Sequence, residues 1–160
     1  TCFKIRLALK MTDEKPVETE QILPERTADG KKYSILLAED NVLNQKITMI
    51  NLMNLGYEVD LAENGIIAWN KYNEKDYDVI LMDIQMPEMD GIQVTHMIRK
   101  YEASHPEKKR TRIVALTANI LGQDANYCLS EGMDAFIAKP FKVEDILDKI
   151  SEDRPPDDTA

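Results

Sequence analysis

Asp78-Val79-Ile80-Leu81-Met82-Asp83 is an apolar run of four residues closed at each end by a carboxylate. It is one of five short apolar runs that alternate with amphipathic stretches from Tyr33 onward, and that alternation predicts a parallel sheet flanked by helices. On this pattern the strands fall at Ser34–Ala38, Glu58–Ala62, Asp78–Met82, Ile113–Leu116 and Ala135–Ala138. The helices fill the gaps at Leu43–Leu55, Ile66–Glu74, Ile92–Ala103, Gly122–Ser130 and Val143–Ile150. Gly56 and Gly132 stand where helix C-caps belong.

The flanks read differently. Phe3, Ile5, Leu7 and Leu9 alternate with Lys4, Arg6, Ala8 and Lys10, the period-two pattern of a half-buried strand within residues 1–10. Residues 11–32 carry Pro16, Pro24, Gly30 and many charges, too few apolar side chains to fold alone, and read as a linker. Residues 33–151 form the predicted domain, and 152–160, with Pro155 and Pro156 among acids, a solvated tail.

Composition narrows the function. A formal charge of −9 over 160 residues argues against a nucleic-acid partner, which needs clustered Lys and Arg, and makes a metal cation the more natural ligand. Cys2 and Cys128 have no metal-ligand spacing and suggest no disulfide scaffold, so a reducing, cytoplasmic compartment is expected. No apolar run approaches the roughly 20 residues that span a bilayer, and the charged opening is no signal peptide. No direct membrane contact is expected of this segment, though a parent protein is free to be membrane-bound.

In an open parallel sheet, ligands bind beyond the carboxyl ends of the strands. Strand one ends in Glu39-Asp40, strand three in Asp83, strand four in Thr117 and strand five in Lys139-Pro140, so three carboxylates, a hydroxyl and an ammonium converge on one rim. A single acid at a strand end is ordinarily just solvated. Three together repel one another unless a cation sits among them. Mg²⁺ suits the set, since it takes one or two carboxylates and keeps several waters. Asp40 and Asp83 are the expected direct ligands, with Glu39 reaching through water.

Four segments, Leu36-Leu37-Ala38-Glu39-Asp40-Asn41, Val79 to Pro87 with Gly91 beyond, Ala115-Leu116-Thr117-Ala118-Asn119 and Phe136-Ile137-Ala138-Lys139-Pro140, together resemble a response-regulator receiver domain. The resemblance covers roughly Tyr33 to Ile150. It implies a flavodoxin-like, doubly wound five-stranded α/β fold, (βα)5, that accepts a phosphoryl group from a phosphohistidine with Mg²⁺ as cofactor. By position, Asp83 matches the phosphoacceptor, Glu39 and Asp40 the acidic pair, Thr117 the hydroxyl that follows the phosphoryl group, and Lys139 the ammonium. The backbone carbonyl of Gln85 matches the remaining metal ligand, and Pro140 the cis-proline that aims Lys139 inward. Phe136 matches the switch aromatic whose ring turns inward when Thr117 moves, with Phe in place of the frequent Tyr. Phosphoryl transfer is mostly positioning and charge neutralisation, which a carboxylate, a cation and an ammonium supply. A plain strand residue is the other reading of Thr117, and core packing that of Phe136, which is compatible with the switch role.

Asn41, Asn44 and Gln45 after the acid pair resemble receivers fused to hybrid histidine kinases, and residues 1–10 resemble the last strand of a kinase ATP-binding domain. No DNA-binding effector is expected after Ile150. The first helix carries Leu43, Ile47 and Ile50 on one face and Met49, Leu52 and Met53 on another, more apolar surface than one buried stripe requires. The resemblance makes its N-terminal part the docking site for a histidine kinase or four-helix histidine phosphotransfer domain; a doubly buried helix is the other reading.

His96 and His105 are expected on the surface, Trp69 packing or capping the second helix, and Cys128 inert. Arg99, Lys100, Lys108, Lys109, Arg110 and Arg112 form a basic patch read as a solvated loop. Two competing functions stay open. A haloacid-dehalogenase-type phosphatase also uses an aspartyl nucleophile with Mg²⁺, but places a second Asp where this chain has Gln85. A non-phosphorylatable pseudo-receiver would lack rim residues that are all present here. The first turn, Glu39-Asp40-Asn41-Val42, has no glycine to cradle a nucleotide.

Overall fold

In a computed structural model, which describes residues 33–118 and 122–151, five parallel strands alternate with five helices. They are β1 (Ser34–Ala38), α1 (Val42–Asn54), β2 (Glu58–Ala62), α2 (Gly65–Glu74), β3 (Val79–Asp83), α3 (Gly91–Ser104), β4 (Arg112–Thr117), α4 (Gly122–Ser130), β5 (Ala135–Ala138) and α5 (Val143–Ser151). The expected strand at 1–10, the linker, Asn119 and the acidic tail lie outside the described residues.

The sheet order is β2-β1-β3-β4-β5, so the chain winds one way from β1 to β2, then reverses across β1 to β3. That reversal is the doubly wound arrangement, and it leaves a crevice above the carboxyl ends of β1 and β3. Side chains alternate between two cores. Leu36, Ala38, Ile80, Met82, Ile113 and Ala115 pack with Ala68 and Tyr72 of α2, Val94 and Ile98 of α3 and Cys128 of α4. Ile35, Leu37, Val79, Leu81, Val114 and Leu116 pack with Leu52 of α1 and Ile146 and Ile150 of α5. Every residue of β3 is buried, because the central strand of a parallel sheet is covered on both faces.

Four expectations are corrected. The third strand runs Val79–Asp83 rather than Asp78–Met82: Asp83 pairs with Leu116, while Asp78 lies before the strand and accepts the Ser34 amide at 3.0 Å. The fourth extends by a residue each way to Arg112 and Thr117. The basic patch is not a uniformly solvated loop. Arg99 is largely buried and donates to Glu102 and Asp134 at 2.6 Å each and to the Gly132 and Thr111 carbonyls, tying α3 to β4 and β5. Arg110 shares Asp134. His96 is exposed as expected and pairs with Glu131, whereas His105 is half-buried and stacks on Tyr101.

Gly56 and Gly132 take φ of 89° and 99°, the left-handed conformation of a helix C-terminus that glycine adopts without a Cβ clash. Gly91 serves a different purpose, a close approach. A Cβ there would lie 2.3 Å from the carbonyl oxygen of Asp83, so only glycine lets α3 start against the end of β3. Gly91→Ala is expected to lower stability by about 1–3 kcal/mol, as overpacking against backbone does; a urea midpoint unchanged from wild type would contradict this packing.

Candidate functional site

β1, β3 and β5 deliver Glu39, Asp83 and Lys139 to the same rim from positions far apart in sequence. Glu39 follows the last residue of β1, Asp83 ends β3, and Lys139 follows β5. The Lys139 Nζ donates to Glu39 Oε2 and to Asp83 Oδ2, each at 2.6 Å. One oxygen from each of Glu39, Asp40 and Asp83 lies within 4.8 Å of the others. Glu39 is only 1% exposed and Asp83 is buried, while Asp40 faces solvent. The Lys139–Pro140 peptide bond is cis.

Each buried acid has its remaining oxygen occupied. Asp83 Oδ1 accepts the Gln85 amide at 3.1 Å. Glu39 Oε1 accepts the Asn41 amide at 3.3 Å and the Asn44 side-chain amide at 3.1 Å. Below them, Gln45 Nε2 donates to the Glu39 carbonyl at 2.7 Å. Buried charges require such partners, since an unpaired one costs several kcal/mol of lost hydration.

Thr117 is buried at the end of β4, and with Asp83, Gln85, Tyr127, Cys128 and Lys139 it lines a cavity of about 260 Å³ open to the rim. Phe136 lies on β5 with its ring at the surface, 36% exposed. It is therefore not plain core. The rim thus gathers Glu39, Asp40, Asp83, Thr117 and Lys139, with Gln85 next to Asp83, while Phe136 stands apart on the outer face of the β5 edge.

Burial pushes the Asp83 carboxyl above its ordinary range; the Lys139 hydrogen bond and charge pull against this, and the Glu39 charge adds to it. Burial alone would lower the Lys139 ammonium, but its hydrogen bonds to Asp83 and Glu39 outweigh that and raise it. Lys139 is thus held charged while facing more carboxylates than it neutralises. The donor set is all oxygen, with no thiolate or imidazole in the cluster, and suits a hard divalent cation such as Mg²⁺.

Sequence reasoning overlooked several supports of this site. Asn41 caps α1 by accepting from the Leu43 and Asn44 amides, a signal readable from Asn standing before an apolar-periodic run. Asn64 caps α2, and Asp90 with Gln93 forms a capping box on α3. Glu88, at φ 67°, and the approach of Gly65 to the Met89 carbonyl shape the loop beyond Asp83; no local signal marks either. The first helix is not doubly buried. Leu52 is enclosed, but Val42, Leu43, Ile47, Ile50 and Met53 are all more than half exposed.

The raised Asp83 carboxyl has a consequence for stability. A carboxyl raised in the folded state favours folding while protonated and loses that contribution as pH rises through its folded value. At neutral pH, Asp83→Asn is therefore expected to raise the melting temperature of the metal-free protein. The difference should vanish as pH falls below the ordinary Asp value of 3.8. MgCl2 should stabilise the wild type more than the variant. A variant less stable than wild type at pH 7 would show the ion pair outweighing burial.

The chain matches the response regulator receiver domain family over residues 35–151. It is 48% identical over 124 residues to hybrid signal transduction histidine kinase B of Dictyostelium discoideum, covering 73% of this chain and 6% of that protein. The chain spans between 4% and 17% of the length of the curated histidine kinases it matches. Among solved structures it is similar to a complex from Saccharomyces cerevisiae between the histidine phosphotransfer signalling protein Ypd1 and the receiver domain of its downstream response regulator Ssk1. The TM-score there is 0.73 at 32% identity, with 76% of this chain and 88% of that chain covered. The receiver domain of sensor histidine kinase PA1611 from Pseudomonas aeruginosa, with a magnesium ion coordinated in its active-site cleft, matches with TM-score 0.67 at 40% identity, covering 76% of this chain and 96% of that one. From a doubly wound sheet, an acidic rim bridged by one lysine and these likenesses together, the chain belongs to the response-regulator receiver family, of the type found in hybrid histidine kinases, and is a phosphorelay receiver domain.

Proposed function

We propose that Asp83 is the residue that accepts the phosphoryl group. The observation that carries this reading is the Lys139 ammonium shared at 2.6 Å between Asp83 and Glu39 inside a cluster of three carboxylates. In the proposed step, an Asp83 oxygen attacks the phosphorus of a phosphohistidine. The phosphorus–oxygen bond forms, the phosphorus–nitrogen bond breaks, and the electron pair leaves with the imidazole. Lys139 has three donors and places positive charge where the phosphoryl oxygens arrive. Asp40 and Asp83, with the Gln85 carbonyl, are the residues that would hold Mg²⁺, and Glu39 would act from behind them. When bound, the ion neutralises charge on the phosphoryl oxygens.

Thr117 is proposed to donate its hydroxyl to a phosphoryl oxygen from across the cavity it shares with Asp83. Because such a contact exists in only one state, it shifts the population of that state. The exposed Phe136 ring is the proposed partner of that shift, turning inward as Thr117 moves.

The donor is read as a histidine kinase or histidine phosphotransfer domain. The exposed row Val42, Leu43, Ile47 and Ile50 beside the acid pair is its proposed docking surface, and the likeness to a receiver seated on a phosphotransfer protein supports this. The parent chain is proposed to be a hybrid histidine kinase, with residues 1–10 ending its ATP-binding domain, 11–32 a linker, 33–151 the receiver and 152–160 a tail. A cytoplasmic location fits that assignment; no described helix is long and apolar enough to cross a membrane.

With MgCl2 and acetyl phosphate, the wild type is expected to gain one phosphoryl mass and Asp83→Asn none, read by intact-mass spectrometry; uptake by the variant would remove Asp83 from the role. Beryllofluoride should shift NMR signals of α4, β5 and Phe136 in wild type and much less in Thr117→Ala. A charged hydrogen bond of about 1.5–3 kcal/mol moves a balanced equilibrium about tenfold or more. Equal responses would make the domain a relay without a Thr117-driven switch.

A further inference from the structure

Glu39 is tied from two sides by groups 95 residues apart in the chain, Asn44 on α1 and Lys139 beyond β5. Its Oε1 takes the Asn44 Nδ2 donor at 3.1 Å and the Asn41 backbone amide at 3.3 Å, and its Oε2 takes the Lys139 ammonium. The Asn44 side chain is not needed to start the helix, because the Asn41 side chain already caps it. Next along the helix, buried Gln45 fixes the Glu39 backbone carbonyl at 2.7 Å, so the stem from which Glu39 projects, directly before Asp40, is anchored as well.

A glutamate side chain has three rotatable bonds, and an ammonium on a four-carbon stem is just as free. Holding Lys139 midway between two acids therefore needs one acid to be fixed by something other than Lys139. Asn44 supplies the side-chain part of that constraint, beside the longer bond from the Asn41 amide. Without it, Oε1 keeps only the 3.3 Å bond from the Asn41 amide, Glu39 is less firmly held, and the Lys139 ammonium shifts toward Asp83, where it competes with any cation.

We propose that Asn44 is a positioning residue of the phosphoryl-transfer site, holding Glu39 Oε1 so that Lys139 stays shared between Glu39 and Asp83. The inference rests on the function proposed above and adds to it a residue outside the acid, hydroxyl and lysine set.

Asn44→Leu keeps the size of the side chain and removes its donor, Asn44→Gln keeps the amide on a longer arm, and Lys46→Ala alters an exposed neighbour on the same helix. MgCl2 titrations followed by NMR are expected to show about tenfold weaker binding in Asn44→Leu, the scale of one hydrogen bond to a charged acceptor. Asn44→Gln should recover most of the affinity and Lys46→Ala should match wild type, with all four proteins cooperatively folded at the titration temperature. In the metal-free state, the ¹³C carboxyl signal of Glu39 should move in Asn44→Leu and return toward wild type in Asn44→Gln. An unchanged Glu39 signal, unchanged Mg²⁺ affinity, or a loss that Asn44→Gln does not recover overturns the proposal. If wild type binds no Mg²⁺, the functional reading fails first, and the metal-free Glu39 signal still decides whether Asn44 holds the acid. If wild type is phosphorylated on Asp83 while Asn44→Leu behaves like it throughout, only this inference falls.

Discussion

The arrangement of this domain turns on one ammonium held between two buried carboxylates. Lys139 meets Glu39 and Asp83 across 100 and 56 residues of sequence, so the ion pairs can form only once the sheet has assembled. The sheet is ordered to allow it, because β1 and β3 are neighbours and β5 follows one strand beyond β4. Two acids and a lysine on a partly closed rim would each lose hydration without these partners. Satisfying them leaves a local excess of negative charge, which suits the rim to a divalent cation as well as making it a structural joint.

Support for the rim comes from backbone as much as from side chains. Gly91 lets the first turn of α3 lie against the Asp83 carbonyl, and its own amide donates to the Ile84 carbonyl at 2.9 Å, closing the loop that follows the acid. Within that loop Glu88 adopts a left-handed conformation, and Asn64 donates to its carboxylate. Strained backbone of this kind persists only where the surroundings hold it in place. On the other side, the cap and first turns of α1 do two jobs, ending strand β1 in a helix start and orienting Glu39. The outward face of the same helix carries apolar side chains that the domain's own core does not cover. One helix thus connects the acidic rim to a surface suited to a partner.

Away from the rim, the Arg99 cluster balances its charges internally. Its guanidinium satisfies two carboxylates and two carbonyls at once, the fork geometry that makes arginine suited to burial. The contrast with the rim is informative. Arg99 and Arg110 face Glu102 and Asp134 two against two, whereas the rim sets three carboxylates against one ammonium.

The alternation of strands and helices is legible in the amino-acid order, because apolar runs such as Val79–Met82 and the amphipathic stretches between them carry local periodicity that needs no partner to be read. That order also determined the identities at the strand ends, since ligands gather there in a parallel sheet, and the left-handed turns at Gly56 and Gly132. Local pattern misjudged the ends of β3 and β4, which are set by pairing between Asp83 and Leu116 and between Thr117 and Ala138. Packing of the folded chain sets which acid is buried and which is exposed, that Lys139 bridges Glu39 and Asp83, that Arg99 is enclosed rather than solvated, and that Asn44 turns toward the acid while Leu43 and Ile47 face outward. These are contacts between residues tens of positions apart or choices among helix faces, and the physics that fixes them, desolvation and charge pairing in a shared space, has no trace in the spacing of residues along one segment.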